Sequence, residues 1–176
     1  MENTTWVLDP PHSSVEFEVR HLMIATLTGR FTEVESTMMT DNDNFENAKF
    51  TFSANVNSIS TFDEKRDTHL KSPDFFEAEK FPKLSFVSTS FTKINEVTFV
   101  LVGNLTIRDV TKPITLDVKY GGTTKDNWGQ TKAGFELVGK IHRSDFGLIW
   151  NATIEEGGVL VSDEVKLIAN IEFMKK

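Results

Sequence analysis

The chain has 176 residues, 39% hydrophobic and 26% charged, which suits one domain large enough for a sizeable core. Its 19 basic and 26 acidic side chains give a formal charge of -7 without a basic block, which argues against a nucleic-acid partner and against polybasic adhesion to an anionic membrane. Cysteine is absent, so disulfide, zinc-thiolate and thiol chemistry are excluded.

The opening stretch Met1 to Trp6 lacks the basic and apolar regions of an export signal, and no segment is long and apolar enough to span a bilayer. As written, the chain reads as cytoplasmic, or as periplasmic if a leader has been removed. No stable membrane insertion is expected.

Alternation of period two then dominates. Val15, Phe17 and Val19 alternate with Ser14, Glu16, Glu18 and Arg20. Phe50, Phe52, Ala54 and Val56 alternate with Lys49, Thr51, Ser53 and Asn55. Such runs put one apolar face inward and one polar face to water. From Phe62 to Lys71 the alternation stops. The charged stretch predicts a short helix near 62–71, capped by Ser60 or Thr61 and ended by Pro73, lying across one end of the fold as a lid or plug. Phe62, Arg66, His69 and Leu70 fall on one face at helical spacing. A second helical turn is expected over 74–80.

Alternation resumes in Leu116, Val118 and Tyr120. It continues in Ala133, Phe135, Leu137 and Ile141, and closes with Val165, Leu167, Ala169, Ile171 and Phe173. Turn signals separate the runs: 41–44, 93–96, Gly121-Gly122, 127–129 and Gly157-Gly158. Hairpins in succession predict an all-β, closed, antiparallel up-and-down barrel of about eight strands, a size that holds either its own side chains or one small ligand. No linker or repeat divides residues 1–176, so a single domain is expected. Fifteen Phe against one Tyr fit a dense aromatic core and an apolar cavity equally. Gly103 and Gly139 would relieve crowding inside strands.

Motifs for chemistry are weak. The four histidines show no HxH or HxxxH spacing, so no metal or other cofactor is expected. Asp9, His12 and Ser13 are close in sequence, but Pro10-Pro11 between them reads as a rigid turn, and no nucleophile-elbow motif occurs. No catalytic residues are assigned. Trp6, Trp128 and Trp150 are each open to core, surface or pocket-wall roles. The arginines of Arg66-Asp67 and Arg143-Ser144-Asp145 are either rim ion pairs or donors at a cavity mouth.

Together these segments resemble the YceI-like family. The likeness rests on Trp6-x-x-Asp9-x-x-His12-Ser13, Gly29-x-Phe31, Arg66-Asp67-x-His69-Leu70, Asp74-Phe75-Phe76, Phe81-Pro82, Gly103-x-Leu105-Thr106-Ile107, Arg143-Ser144-Asp145-Phe146-Gly147 and Ser162-Asp163-Glu164-Val165. The resemblance implies a lipocalin-like barrel that binds a polyisoprenoid, isoprenoid quinone or fatty-acid derivative, with a role in transport or stress response and no catalysis. Because some relatives are dimers, a homodimer is an expectation too. The turn after Ile107 departs from the family by carrying Arg108-Asp109 where glycine is usual; Asp is expected to tolerate the turn geometry.

The apolar tunnel is expected to be lined by Val15, Phe17, Val19, Phe50, Phe52, Phe86, Leu101, Leu105, Phe135, Leu137, Ile141, Leu167 and Ile171. His21, Arg66, His69, Arg143 and Trp150 are expected at the mouth, near the ligand's polar head. Two other readings remain: a solid barrel that serves as a protein-interaction module, and a His-dependent enzyme.

Overall fold

Proline cannot donate to a sheet ladder, so Pro10 and Pro11 interrupt the first long run of alternation. In the computed structural model, which describes residues 3–154 and 158–176, β1 (Thr4–Leu8) and β2 (Ser14–His21) flank a 3-10 turn at Pro10–His12. They act as two halves of one stave. The next two staves break as well. β3 (Ala25–Phe31) passes into β4 (Val34–Thr40), and β5 (Lys49–Asn55) reaches β6 (Ile59–Ser60) through a 3-10 turn at Val56–Ser58. After the helix α1 (Glu64–Leu70) come the unbroken strands β7 (Lys83–Lys93), β8 (Thr98–Ile107), β9 (Val110–Lys125) and β10 (Thr131–His142). A small hairpin, β11 (Thr153–Ile154) and β12 (Gly158–Val159), precedes β13 (Glu164–Lys175).

Each stave pairs antiparallel with its neighbour in the chain, and β13 returns to both halves of the first, through Leu8↔Phe173 and Leu167↔Phe17. Counting each broken stave once, the closed barrel has eight, in up-and-down order. Side chains repair the ladder at the breaks. Ser13 Oγ both donates to the Glu172 carbonyl (3.4 Å) and accepts from the Glu172 N–H (3.1 Å), and Ser58 Oγ accepts from the Glu33 N–H (3.0 Å). The backbone thereby keeps hydrogen-bond partners where strand pairing lapses.

Several local expectations need correction. The helix is capped by Asp63, whose side chain accepts from the Arg66 N–H at 3.0 Å, and neither Ser60 nor Thr61 caps it. Phe62 lies outside the helix, in left-handed backbone (φ 63°) and 81% exposed, so it does not share a face with Arg66 and His69. Residues 74–80 form successive turns without a helix. Gly121 and Gly122 are inside β9, where the register shifts opposite Gly134 and Phe135; the reversal comes at 126–130. Of the expected turn at Gly157-Gly158, Gly157 falls outside the described residues. In the turn after Ile107 the left-handed residue is Arg108 (φ 56°), not Asp109. Its guanidinium reaches Glu77 (3.1 Å) and the Phe75 carbonyl (3.3 Å), contacts that help hold a backbone shape normally given to glycine.

The interior divides along the barrel axis. At the end formed by the start of β1 and the end of β13, side chains fill it completely. Trp6, Phe45, Phe50, Phe91, Phe99, Phe135 and Phe173 are all buried there and meet ring against ring, with Phe91 and Phe99 stacked at 4.5 Å between centroids. Phe45, from the β4–β5 connection, closes that end like a stopper. Trp6 donates its indole N–H to Thr40 Oγ1 at 3.2 Å, which gives its one polar atom a partner.

Candidate functional site: a blind apolar pocket

The other half of the barrel is hollow. A cavity of about 390 Å³ runs inward from the α1 end, in the size range of small-molecule sites. Val15, Phe17 and Val19 of β2, Phe52 of β5, Phe86 of β7, Leu101 and Leu105 of β8, Leu137 and Ile141 of β10, and Leu167 and Ile171 of β13 form its wall. Phe50 and Phe135 form the floor with Phe91 and Phe173. These floor rings belong to the packed aromatic end, so the apolar hollow is a pocket closed at the bottom.

Alternation explains the wall. The same in-phase positions that would pack a solid sheet sandwich here face across a barrel lumen. Glycine shapes it further: a Cβ on Gly29 would overlap the Phe17 ring, and one on Gly103 would overlap Phe86. Both rings lie over a neighbouring strand because that strand carries no side chain there.

The mouth is built by α1 and the segments after it. On the edge of β3 that faces away from β2, no strand among the described residues pairs with Ala25–Gly29 beyond the short β6 contact at Arg30 and Phe31, which leaves a seam in the barrel wall. The 72–82 segment fills it, with Phe76 edge-on to Phe31 at 6.0 Å. Arg66, His69 and Leu70 of α1 face the opening, and His69 meets Trp150 (4.7 Å) and Phe75 (5.1 Å) edge-on. The expected lid is thus present, latched by an aromatic cluster to the segment after Phe146.

The structure also shows how the polar mouth residues are engaged. Arg143 is buried and touches the pocket, but its Nε donates to the Ser162 carbonyl (2.9 Å) and its Nη1 to Leu148 (2.7 Å) and Trp150 (2.9 Å). Its Nη2 donates to the Val161 carbonyl at 3.3 Å. The expectation of a guanidinium offering donors to a headgroup is therefore corrected: Arg143 clamps residues 148–150 to Val161 and Ser162. Burial holds its pKa below the ordinary guanidinium value, with Asp163 partly opposing. Arg66 spends Nε on Thr61 Oγ1 (2.7 Å) and Nη2 on the Thr61 carbonyl (2.6 Å). His69 shares Nε2 with Asp74 at 2.8 Å. His21 is exposed at the rim and forms a backbone bridge to Val161.

Leu27, Phe31, Leu116, Phe75 and Phe76 also line the pocket and were not nominated from sequence. Leu116 lies in a recognised alternating run and was within reach. Phe75 and Phe76 lie in irregular chain, where no periodicity marks the inward face. Of the tryptophans, Trp6 is core, Trp150 is pocket wall and Trp128 is 87% exposed on the β9–β10 turn.

A second polar cluster sits at the opposite end. Ligand atoms of Asp9, His12 and Glu172 come within 4.8 Å of one another, a grouping that sequence spacing does not reveal. The Lys132 ammonium already bonds to Asp9 and lies 3.2 Å from Glu172, so a metal would have to displace it. Burial pushes the Asp9 carboxyl up, but the bonds from Lys132 and His12 outweigh it and hold the group below the usual carboxylate range. The hydrogen bond to Asp9 raises Lys132, against the effect of burial. Asp9 and His12 meet at 2.8 Å, whereas the Ser13 hydroxyl is bonded to the Glu172 backbone.

A closed eight-stave antiparallel barrel with a lidded, blind apolar pocket defines the class as a lipocalin-like binding fold. Residues 6–173 match the YceI-like domain, and the chain belongs to that family. The UPF0312 protein of Staphylococcus aureus strain MSSA476 is 36% identical over 171 residues, which is 97% of both chains. The Campylobacter jejuni YceI protein superposes with a TM-score of 0.77 at 34% identity, over 89% of this chain and 90% of that one. Two more distant structures share the fold. Burkholderia cenocepacia BcnA has a TM-score of 0.80 at 20% identity, over 94% of this chain and 98% of its own. A polyisoprenoid-binding domain from Saccharophagus degradans has 0.68 at 13%, over 97% and 98%.

Proposed function

We propose that the protein binds a long-chain amphiphile, tail inward, in the blind pocket and does no chemistry on it. The observation that carries this reading is the 390 Å³ apolar hollow with its opening under α1. A tail that hides about 400 Å² of apolar surface there would gain about 10 kcal/mol before ordering costs are subtracted. A polyisoprenoid, an isoprenoid quinone or a fatty-acid derivative fits such a slot. The polyisoprenoid-binding description of the S. degradans domain adds support for the first.

The absence of catalysis is part of the proposal. Ser13 is engaged by backbone, and His142 and Ser144 both turn to the same carboxylate, Asp163 (3.3 and 2.9 Å), so no imidazole activates that hydroxyl. Organic extraction of freshly purified protein, with native mass spectrometry, tests the reading. A co-purifying prenyl or acyl species is the expected result. Protein that arrives empty and takes up no prenol, quinone or fatty amide would sink it.

A further inference from the structure

Around the pocket mouth the described residues include large apolar side chains that are mostly exposed, with only the Met23 sulfur lying over Gly158. Phe62, next to the α1 cap, is 81% exposed; Ile24 is 78%, Ile149 75% and Met23 59% exposed. They come from three separate segments that the structure joins into one collar. The Leu22 N–H donates to the Leu160 carbonyl (2.9 Å), and the Leu160 N–H to Ala152 (2.9 Å), which ties the β2–β3 turn to the 148–162 segment. Trp150 in that segment meets His69 of α1, whose N-terminal cap adjoins Phe62.

Two costs are visible here among the described residues. Large apolar groups face water, and Phe62 (φ 63°) and Met23 (φ 62°) do so from left-handed backbone that bulky residues avoid. Strain and exposure that coincide at the mouth of a site point to function.

We propose that this collar docks the protein on a lipid bilayer, with Phe62, Ile24 and Ile149 reaching into the headgroup boundary so that a ligand passes between membrane and pocket without crossing water. This rests on the amphiphile reading of the same pocket. The partner is a bilayer because the collar is continuous with the pocket's lid and mouth, and the tail that fits the pocket has the membrane as its other solvent. Charge selects the kind of bilayer. Among the described residues, Lys65, Lys71 and Arg20 near the collar are balanced by Asp63, Glu64 and Asp74, so they give an anionic surface no advantage. Docking is shallow and apolar, as for interfacial anchors, and requires no spanning segment.

The test is sedimentation with phosphatidylcholine vesicles at low and high salt, with uptake of geranylgeraniol from cyclodextrin measured in parallel. The wild type should sediment with vesicles at both salt levels. The F62S/I24S/I149S variant should lose roughly tenfold or more of that binding. Its uptake of geranylgeraniol from cyclodextrin should not change, because none of the three residues lines the pocket. The I94S/W128S variant is the matched control, since its two exposed apolar residues lie at the opposite end of the barrel, and it should sediment like the wild type. The proposal fails if the wild type stays in the supernatant, or if the control loses as much binding as the collar variant. It also fails if the collar substitutions merely split a dimer in sedimentation velocity without affecting vesicles, which would assign the collar to a second copy. Vesicle binding without geranylgeraniol uptake supports the docking face and removes the cargo reading instead.

Discussion

The two halves of this barrel are built from the same alternating pattern and end in opposite states. At the closed end, Phe50, Phe91, Phe99, Phe135 and Phe173 meet ring to ring, and Phe45 seals them from a loop. At the lidded end, Val15, Phe17, Val19, Leu137 and Leu167 point inward just as faithfully but are only partly buried, because they surround space. The difference is that large rings reach across the lumen in one half, whereas branched aliphatic residues and rings laid over glycine leave the other open. A barrel can therefore hold a stable core and an empty site within one sheet, provided that the residues of each lie at different heights.

That contrast can be broken most severely from the packed side. Phe135→Ala should cost about 3–5 kcal/mol in urea unfolding, since the buried ring packs against Phe45, Tyr120 and Phe173 beneath the pocket floor and its loss leaves a void there. For the same reason Phe135→Trp should strain the floor, so it is a poor probe of the pocket. Arg143→Leu should cost about 3 kcal/mol by leaving buried carbonyls without donors, and should loosen the lid latch; proteolysis within 148–152 should accelerate. Gly103→Ala should cost about 2 kcal/mol, because the added Cβ also meets the Val87 carbonyl at 2.6 Å.

In the hollow half, Leu137→Ala should cost only about 1 kcal/mol, below the usual core value, because part of that side chain already faces a void. Leu137→Trp should leave the unfolding midpoint nearly unchanged while blocking prenol uptake. Equal costs for Leu137→Ala and Phe135→Ala would show that the lumen is uniformly packed in solution.

The smallest effect concerns pH. The Asp9 carboxyl is lowered, so its contribution is complete above its ordinary value of 3.8 and is lost as pH falls through the lowered one. Lys132 is raised, so its contribution is complete below 10.5 and is lost as pH rises through the raised value. Lys132→Met should therefore lower thermal stability most near neutrality, where both contributions are complete, and least at the two extremes, so that the pH dependence of thermal unfolding flattens.

Much of the wall was legible because period two is strict. Each wall residue named from sequence lies on the inward phase of its strand. The helix was legible as a break in that pattern, though its cap was misplaced by two to three residues because Asp63 competes with Ser60 and Thr61 for the same role. What escaped came from irregular chain or from distant pairs. Phe75 and Phe76 carry no periodicity, and the Asp9–Lys132–Glu172 cluster joins positions that only β13, lying beside β1 and β10, brings together.

By itself, then, the order of apolar and polar side chains determined the strands, their inward faces, the up-and-down barrel and the place of the lid, since these follow from local sterics and amphipathic phase. Tertiary structure alone decided that the lumen is filled at one end and hollow at the other, that Arg143 clamps backbone, and that an apolar collar surrounds the mouth. Those outcomes depend on which side chains face one another across the barrel, a distance that no local pattern encodes.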